Sequence, residues 1–260
     1  MKIKNPKFVY YTIKNTSLFK QVSGFLWFLN QAKLDNKILV LPVFKVKGED
    51  NYNFENTPYE GIFDVAQVID NFDVIPFKDY TEISSMNMSI NRATEAWIDG
   101  SWQLSHEHEN YMELRKFVAF HPRHYSYSDK ILKNKEPYLA VHWKQSWKFN
   151  KAKSHFIGDE KKLVKEIKKE LKRHNLKKVY IATDAEDKEI LKYIHDKLPT
   201  FKHERPEGMH YIHFNIIEAI ICSKAKHFIG TPSSYYSIHI YGERLKNGYT
   251  KDKQEFKILK

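Results

Sequence analysis

"HFIGTPSSYYSIHIYGERLKNG", residues 227–248, carries an apolar run into a hydroxyl-rich turn and on into a helical pattern. His227, Phe228 and Ile229 have the length and character of a buried strand end, and Gly230 permits a sharp exit from it. Thr231 suits an N-cap, because its hydroxyl can accept from the open amides of a first turn, and Pro232 suits the first helical position, where its missing donor is not needed. Asn247 and Gly248 close the segment as a C-cap does. The first turn thus offers backbone amides, the positive end of the helix dipole and the hydroxyls of Ser233, Ser234 and Ser237, a set suited to an anion such as phosphate. An ordinary capped helix accounts for the same residues.

Working outward, strand-like and helix-like segments alternate. "YLAVHW" (138–143), "KVYIATD" (178–184) and "KHFIG" (226–230) read as strands; 160–174, 186–197, 213–223 and 232–247 read as helices. Towards the N-terminus, Phe8 to Ile13 and "KILVLP" (37–42) are strands flanking a helix from Leu18 to Leu34, a βαβ pattern. "NYNFENTPYEG" reads as a loop and "SHEHENYMELRKFVAF" as a polar helix. The expected fold is therefore α/β, with an N-terminal Rossmann-like domain over 1–124 and a C-terminal one over 125–260. Ligand would lie at the carboxyl ends of the strands. Three polar clusters fall there: His142 with Lys144, Thr183 with Asp184, and Thr231 with the serines after it.

Bulk composition narrows the class. With 42% hydrophobic and 15% aromatic residues the 260-residue chain can bury a substantial core, and no stretch approaches the roughly 20 apolar residues of a membrane span. Cys222 is the only cysteine, and the N-terminus has no signal-peptide pattern, so a reducing, cytoplasmic setting is expected. The net charge of +11 comes almost wholly from lysine in an Asn-, Ile- and Tyr-rich chain. Its densest run, 160–178, puts Leu163, Val164, Ile167 and Leu171 on one stripe with lysines outside it and no aromatics interleaved. That reads as a solvated helix rather than a nucleic-acid patch, although a basic nucleic-acid-binding module stays open as an alternative.

The same stretches resemble a known family. "FIGTPSSYYSIHIYGERLKNG" resembles the C-terminal motif of the GDP-fucose protein O-fucosyltransferases, in which Phe-Ile-Gly-Thr, a Ser, an aromatic, a Ser and a closing Glu-Arg keep this gap-free spacing. "YLAVHWKQS" looks like that family's His-x-Arg strand and "VYIATDAEDKEI" like its Ala-Thr-Asp strand end, in the family's order; "KILVLPVF" and "GIFDVAQV" extend the likeness towards the N-terminus. The resemblance implies a GT-B fold, two Rossmann-like halves facing across a cleft. It also implies metal-free, inverting transfer of fucose from GDP-fucose to a hydroxyl of a glycan or protein acceptor, with no cofactor beyond the donor substrate. On it, Ser234, Tyr235 and Ser237 fall at phosphate-contacting positions, with Thr231 and Ser233 in the same turn. His142 and Lys144 take the places of the His-x-Arg pair, and Asp184, after Thr183, lies near the nucleoside. Departure of GDP builds negative charge, so a metal-free enzyme needs cations and helix-terminal donors there.

This chain departs from the family at three points. Lys144, a point charge on a flexible stem, replaces the arginine. "QSWKF" lacks the usual acidic residue, and the first-strand loop "KNTSLFKQVSG" has no glycine before Gly24 and no carboxylate. Deprotonation of the acceptor would then fall to another group or to the leaving diphosphate, or the chain binds its nucleotide sugar without turnover. Other constellations are weaker. "DAED" (184–187) reads as a helix N-terminus rather than a metal-binding Asp-x-Asp. His106 and His108, two apart, do not form a zinc pattern; His210 and His213 suit a cleft wall or the surface; Cys222 suits packing. Of Trp27, Trp97, Trp102, Trp143 and Trp147, most suit the core, and Trp147 is best placed for the cleft.

Overall fold

The computed structural model describes residues 7–48, 53–98, 109–146, 159–249 and 256–258. The chain divides into two compact units, Met1–Arg123 and His124–Lys260. In the first lie β1 (Phe8–Thr12), α1 (Leu18–Leu34), β2 (Ile38–Val40), β3 (Val43–Lys47) and β4 (Phe54–Pro58). They are followed by α2 (Val65–Ile69), β5 (Val74–Ile75), α3 (Phe77–Met86), α4 (Met88–Arg92), β6 (Thr94–Ile98) and α5 (Glu109–Phe117). Among the described residues its main sheet has the order β5-β2-β1-β6, every pair parallel. Setting aside the separate β3–β4 pair, that is third, second, first, fourth in chain order, the sequence of a Rossmann half.

The apolar periodicity of α1 is what buries it: Leu18, Val22, Phe25, Leu26 and Leu29 all lie in the core. Its C-terminus closes on Asn36 in the left-handed region (φ 52), with the Lys37 amide donating to the Ala32 carbonyl at 2.9 Å. Phe63 stacks on Phe120 and on Tyr59, at 5.4 Å and 5.1 Å between ring centres. "NYNFENTPYEG", expected as a loop, instead supplies β4, which pairs antiparallel with β3 from Val43↔Pro58 to Lys47↔Phe54. Between Phe54 and Pro58, β4 has only Glu55, Asn56 and Thr57, so no apolar alternation marks it, and the ladder to β3 makes it a strand.

After α6 (Pro122–Leu132) come β7 (Leu139–Trp143), α7 (Glu160–Arg173), β8 (Val179–Thr183), α8 (Lys188–Lys197), α9 (Tyr211–Lys224), β9 (His227–Gly230), α10 (Tyr235–Lys246) and β10 (Phe256–Ile258). The sheet order is β10-β9-β7-β8, again parallel throughout. β7 is buried at all five positions, which is why it reads as a continuous apolar run and not as an alternation. Leu139, Val141, Trp143 and Ile229 pack against Leu163, Val164, Ile167 and Leu171 of α7 and Ile194 of α8. The other face meets α9 and α10, where the Tyr180 hydroxyl donates to Glu218 at 2.8 Å and His142 meets Ser237. No helix among the described residues is long and apolar enough to cross a membrane.

Candidate functional site

In the second unit, chain order along the sheet is fourth, third, first, second, so the winding reverses between β7 and β9. Such a switch point leaves a crevice beyond the strand ends, the place where open α/β sheets bind ligands. His142 and Lys144 stand at that end of β7, Thr231 and the serines follow β9, and Asp184 follows β8.

Hydrogen bonds draw the three strand ends together. The Thr231 hydroxyl donates to the His142 carbonyl at 2.7 Å and accepts from the Lys144 amide at 3.1 Å. The Thr183 hydroxyl donates to the Trp143 carbonyl at 2.7 Å. Ser237 Oγ lies 2.7 Å from His142 Nδ1 and accepts from the Thr231 amide at 2.9 Å. Thr231, Ser234, Ser237 and His142 are all buried.

Thr231 is therefore not the N-cap that the sequence implies, and Pro232 does not open the helix. α10 begins at Tyr235, with Ser234 as N-cap and Ser233 held at φ 56 in the turn between. Thr231 is spent on joining β9 to β7, a task fixed by the neighbouring strand and invisible in a local reading. Ser234 makes no side-chain cap bond, so its hydroxyl does not occupy the first-turn amides. Ser233 is exposed and Tyr235 half-buried at the mouth of this turn.

The charged groups sit together. Lys144 Nζ is 3.1 Å from Asp184 Oδ2, both side chains about one-third exposed. The Ser146 hydroxyl donates to Asp184 Oδ2 at 2.6 Å and its amide to Oδ1 at 3.2 Å. Partial burial pushes the Asp184 carboxyl up, but the Ser146 bond and the Lys144 charge outweigh it and hold it below its ordinary value. His142 is shifted down as well, but there the shift removes a charge: burial first, then the nearby Lys144 charge, lower it from 6.5 to about 3. At neutral pH it is an uncharged imidazole, so Lys144 carries the positive charge of the pair alone. The resemblance places Lys144 on diphosphate and Asp184 on nucleoside; here they are ion-paired, so an incoming anion competes for the ammonium.

Sequence reasoning missed Ser146, which lies in a segment noted only for lacking an acid, and Tyr236, whose ring centre is 4.7 Å from that of His142. Asp187 caps α8 by accepting from the amides of Glu189 and Ile190, as a helix N-terminus requires. His210 caps α9 and His213 pairs with His124 at 3.0 Å, both half-buried, as satisfied histidines near the surface are. Cys222 is fully buried, and burial raises its thiol well above the ordinary range. Trp143 is core and Trp27 packs edge-on against Phe28. His106, His108, Trp102, Trp147 and the side chain of Trp97 lie outside the described residues. The first-strand loop runs from Ile13 to Ser17, and "LFKQVSG" belongs to α1, as the helix expected from Leu18 requires. Gln21 ties that helix down, donating to the carbonyls of Thr16 and Lys45 and accepting from the Lys45 amide.

Two Rossmann-like units, one with hydroxyls, a helix N-terminus and a lysine at its switch point, define a GT-B fold. The family model described as GDP-fucose protein O-fucosyltransferase matches residues 103–247, more than half of the chain. The chain belongs to that family. GDP-fucose protein O-fucosyltransferase 2 of Caenorhabditis elegans is 28% identical over 113 residues, covering 42% of this chain and 26% of that protein. This chain therefore spans about a quarter of the length of that relative. POFUT1 in complex with GDP superposes with a TM-score of 0.72 at 14% identity, over 98% of this chain and 99% of that one. The fucosyltransferase NodZ from Bradyrhizobium gives 0.59 at 11%, over 92% and 93%. At such identities the likeness to these structures is one of fold.

Proposed function

We propose that this protein transfers fucose from GDP-fucose to a hydroxyl of a glycan or protein acceptor, with inversion, with no metal at the donor phosphates, and in the cytoplasm. The observation that carries the reading is the meeting of Lys144 with the hydroxyl turn before α10 at the β7–β9 switch point, built from the family's own motif. Structures of POFUT1 with GDP-fucose and of NodZ alpha-1,6-fucosyltransferase soaked with it support the choice of donor. The single, buried cysteine suits a reducing compartment.

The first-turn amides of α10 and the Ser234 hydroxyl hold the diphosphate, and the helix dipole favours its charge. Lys144 exchanges Asp184 for the β-phosphate and offsets the charge that grows as the sugar–oxygen bond breaks. Asp184, released from Lys144 but still held by Ser146, accepts from the guanosine. Neutral His142 is a positioning residue, fixing Ser237 and through it the turn. Loop Ile13–Ser17 carries no carboxylate, so the leaving diphosphate takes the acceptor proton.

That missing carboxylate and the lysine in place of arginine favour one second reading, a nucleotide-sugar-binding protein without turnover. Calorimetry with GDP and GDP-fucose, then donor hydrolysis and acceptor-array assays, separates the two. Lys144→Ala should lower kcat/KM about 10–100-fold, a loss of about 1.4–2.7 kcal/mol of transition-state stabilisation. Binding with no turnover on any acceptor supports the second reading; failure to bind GDP at millimolar concentration overturns both. Unchanged turnover in Lys144→Ala removes the role given to that lysine.

A further inference from the structure

At the opposite end of the same sheet, Glu170 and His174 of the α7 C-terminus meet His227, the first residue of β9. Among the described residues this is one place where three ligating side chains converge, their donor atoms all within 4.8 Å of one another. Glu170 Oε2 is 3.3 Å from His174 Nε2 and 3.7 Å from His227 Nε2. In a tetrahedral zinc site with bonds of about 2.0–2.1 Å, ligand atoms stand about 3.3–3.4 Å apart, so the two separations from the carboxylate are already close to those of a coordinated set. We infer that Glu170, His174 and His227 form a structural site for a divalent transition-metal ion of the zinc type.

Four features carry this. Glu170 is fully buried and His227 is 2% exposed, so a carboxylate sits where its charge has to be offset. The imidazoles of His174 and His227 lie side by side, with ring centres 4.0 Å apart and planes 23° apart. A divalent ion offsets the carboxylate. The donor set of two imidazoles and one carboxylate suits zinc and its neighbours, whereas calcium and magnesium prefer oxygen alone. His174, with 19% of its side chain exposed, leaves a way in for the ion and room for a water as fourth ligand. Arg173 approaches the same Glu170 oxygen to only 3.9 Å, and its side chain is 55% exposed, so it can withdraw into solvent.

The site lies about 13 Å from Thr231, four strand residues at about 3.3 Å each. It therefore does not reach the donor phosphates. Its effect is to fasten α7 to β9 from two sequence-distant segments, so the ion is a staple of the second unit.

The test uses the full chain stripped with EDTA and dialysed. Zinc sulfate titrated by calorimetry, with metal analysis after gel filtration, should give one ion per chain and a raised melting temperature. Cobalt(II) should give the visible d–d bands of a tetrahedral site. His174→Ala, at the helix C-cap and partly exposed, should keep the fold and GDP affinity yet bind zinc at least tenfold more weakly and lose the thermal shift. His227→Gln should do the same. Absence of stoichiometric zinc in the wild-type chain, or equal zinc affinity in His174→Ala, overturns the assignment.

Discussion

Gly230 sits where β9 passes closest to α10: a methyl group there would come within 3.0 Å of Ser237 Cβ and Oγ and 3.2 Å of Phe228. Its role is space, since its φ is not positive; among the described glycines only Gly208 and Gly248 have positive φ. Gly230→Ala should push Ser237 off the Thr231 amide, costing about 1–3 kcal/mol in a denaturant titration and weakening GDP binding in calorimetry. Glu218 is a second residue whose cost can be measured. Burial pushes its carboxyl from 4.5 up to about 7, only partly countered by the bond from Tyr180. Between those values the unfolded chain gives up its proton while the folded chain keeps it, so stability falls as pH rises through that window and is level above it. Glu218→Gln keeps an acceptor for Tyr180 and should stabilise the protein by about 1–3 kcal/mol above pH 7. That gain should vanish below pH 4.5, a crossing that melts at several pH values would register. Arg244, the last residue of the Glu-Arg pair, proves structural: it is buried and donates to the carbonyls of Ser223 and Ala225 at the C-terminus of α9 while lying 4.0 Å from the Tyr249 ring centre. Cutting it to alanine should cost about 2–4 kcal/mol of unfolding free energy, because those carbonyls lose a charged partner in the interior.

At the scale of elements, the periodic helices and buried parallel strands were legible because side-chain spacing alone marks them. α1 runs from Leu18 to Leu34 and β7 and β8 lie within their expected spans. The start of α10 was not legible: Thr-Pro is a sound helix opening in isolation, and only β7 alongside draws Thr231 away. Helix ends follow a rule that the sequence does carry. α10 closes with Gly248 at φ 85, its amide on the Leu245 carbonyl and that of Tyr249 on Arg244, while α1 and α7 close with Asn36 and Asn175 in the same backbone region. Asparagine pays for left-handed backbone where glycine does not, so Asn36→Gly should raise the melting temperature, by about 0.5–1 kcal/mol in free energy. On α7, the stripe Leu163, Val164, Ile167 and Leu171 is buried as expected, but Glu170 is buried with it. Its neighbour four residues on, His174, was the signal; a lysine-rich context hid it.

For the whole molecule, the charge of +11 acts against compactness, and α7 alone carries Lys161, Lys162, Lys165, Lys168, Lys169 and Lys172. Salt shortens the reach of that repulsion to about 10 Å at 0.1 M. The melting temperature should therefore rise between low and moderate sodium chloride, and binding to any polyanion should fall over the same range; a salt-independent melt would show the charge to be locally compensated. The sequence by itself determined the α/β alternation, the helix faces, the C-caps and the family, because spacing and gap-free motifs are properties of the chain. Only the tertiary structure decided that Thr231 joins two strands, that Ser146 and Lys144 share Asp184, that His142 is neutral, and that Glu170, His174 and His227 meet. Each of these depends on groups far apart in the chain being brought within hydrogen-bond or ligand distance, and on the burial that follows.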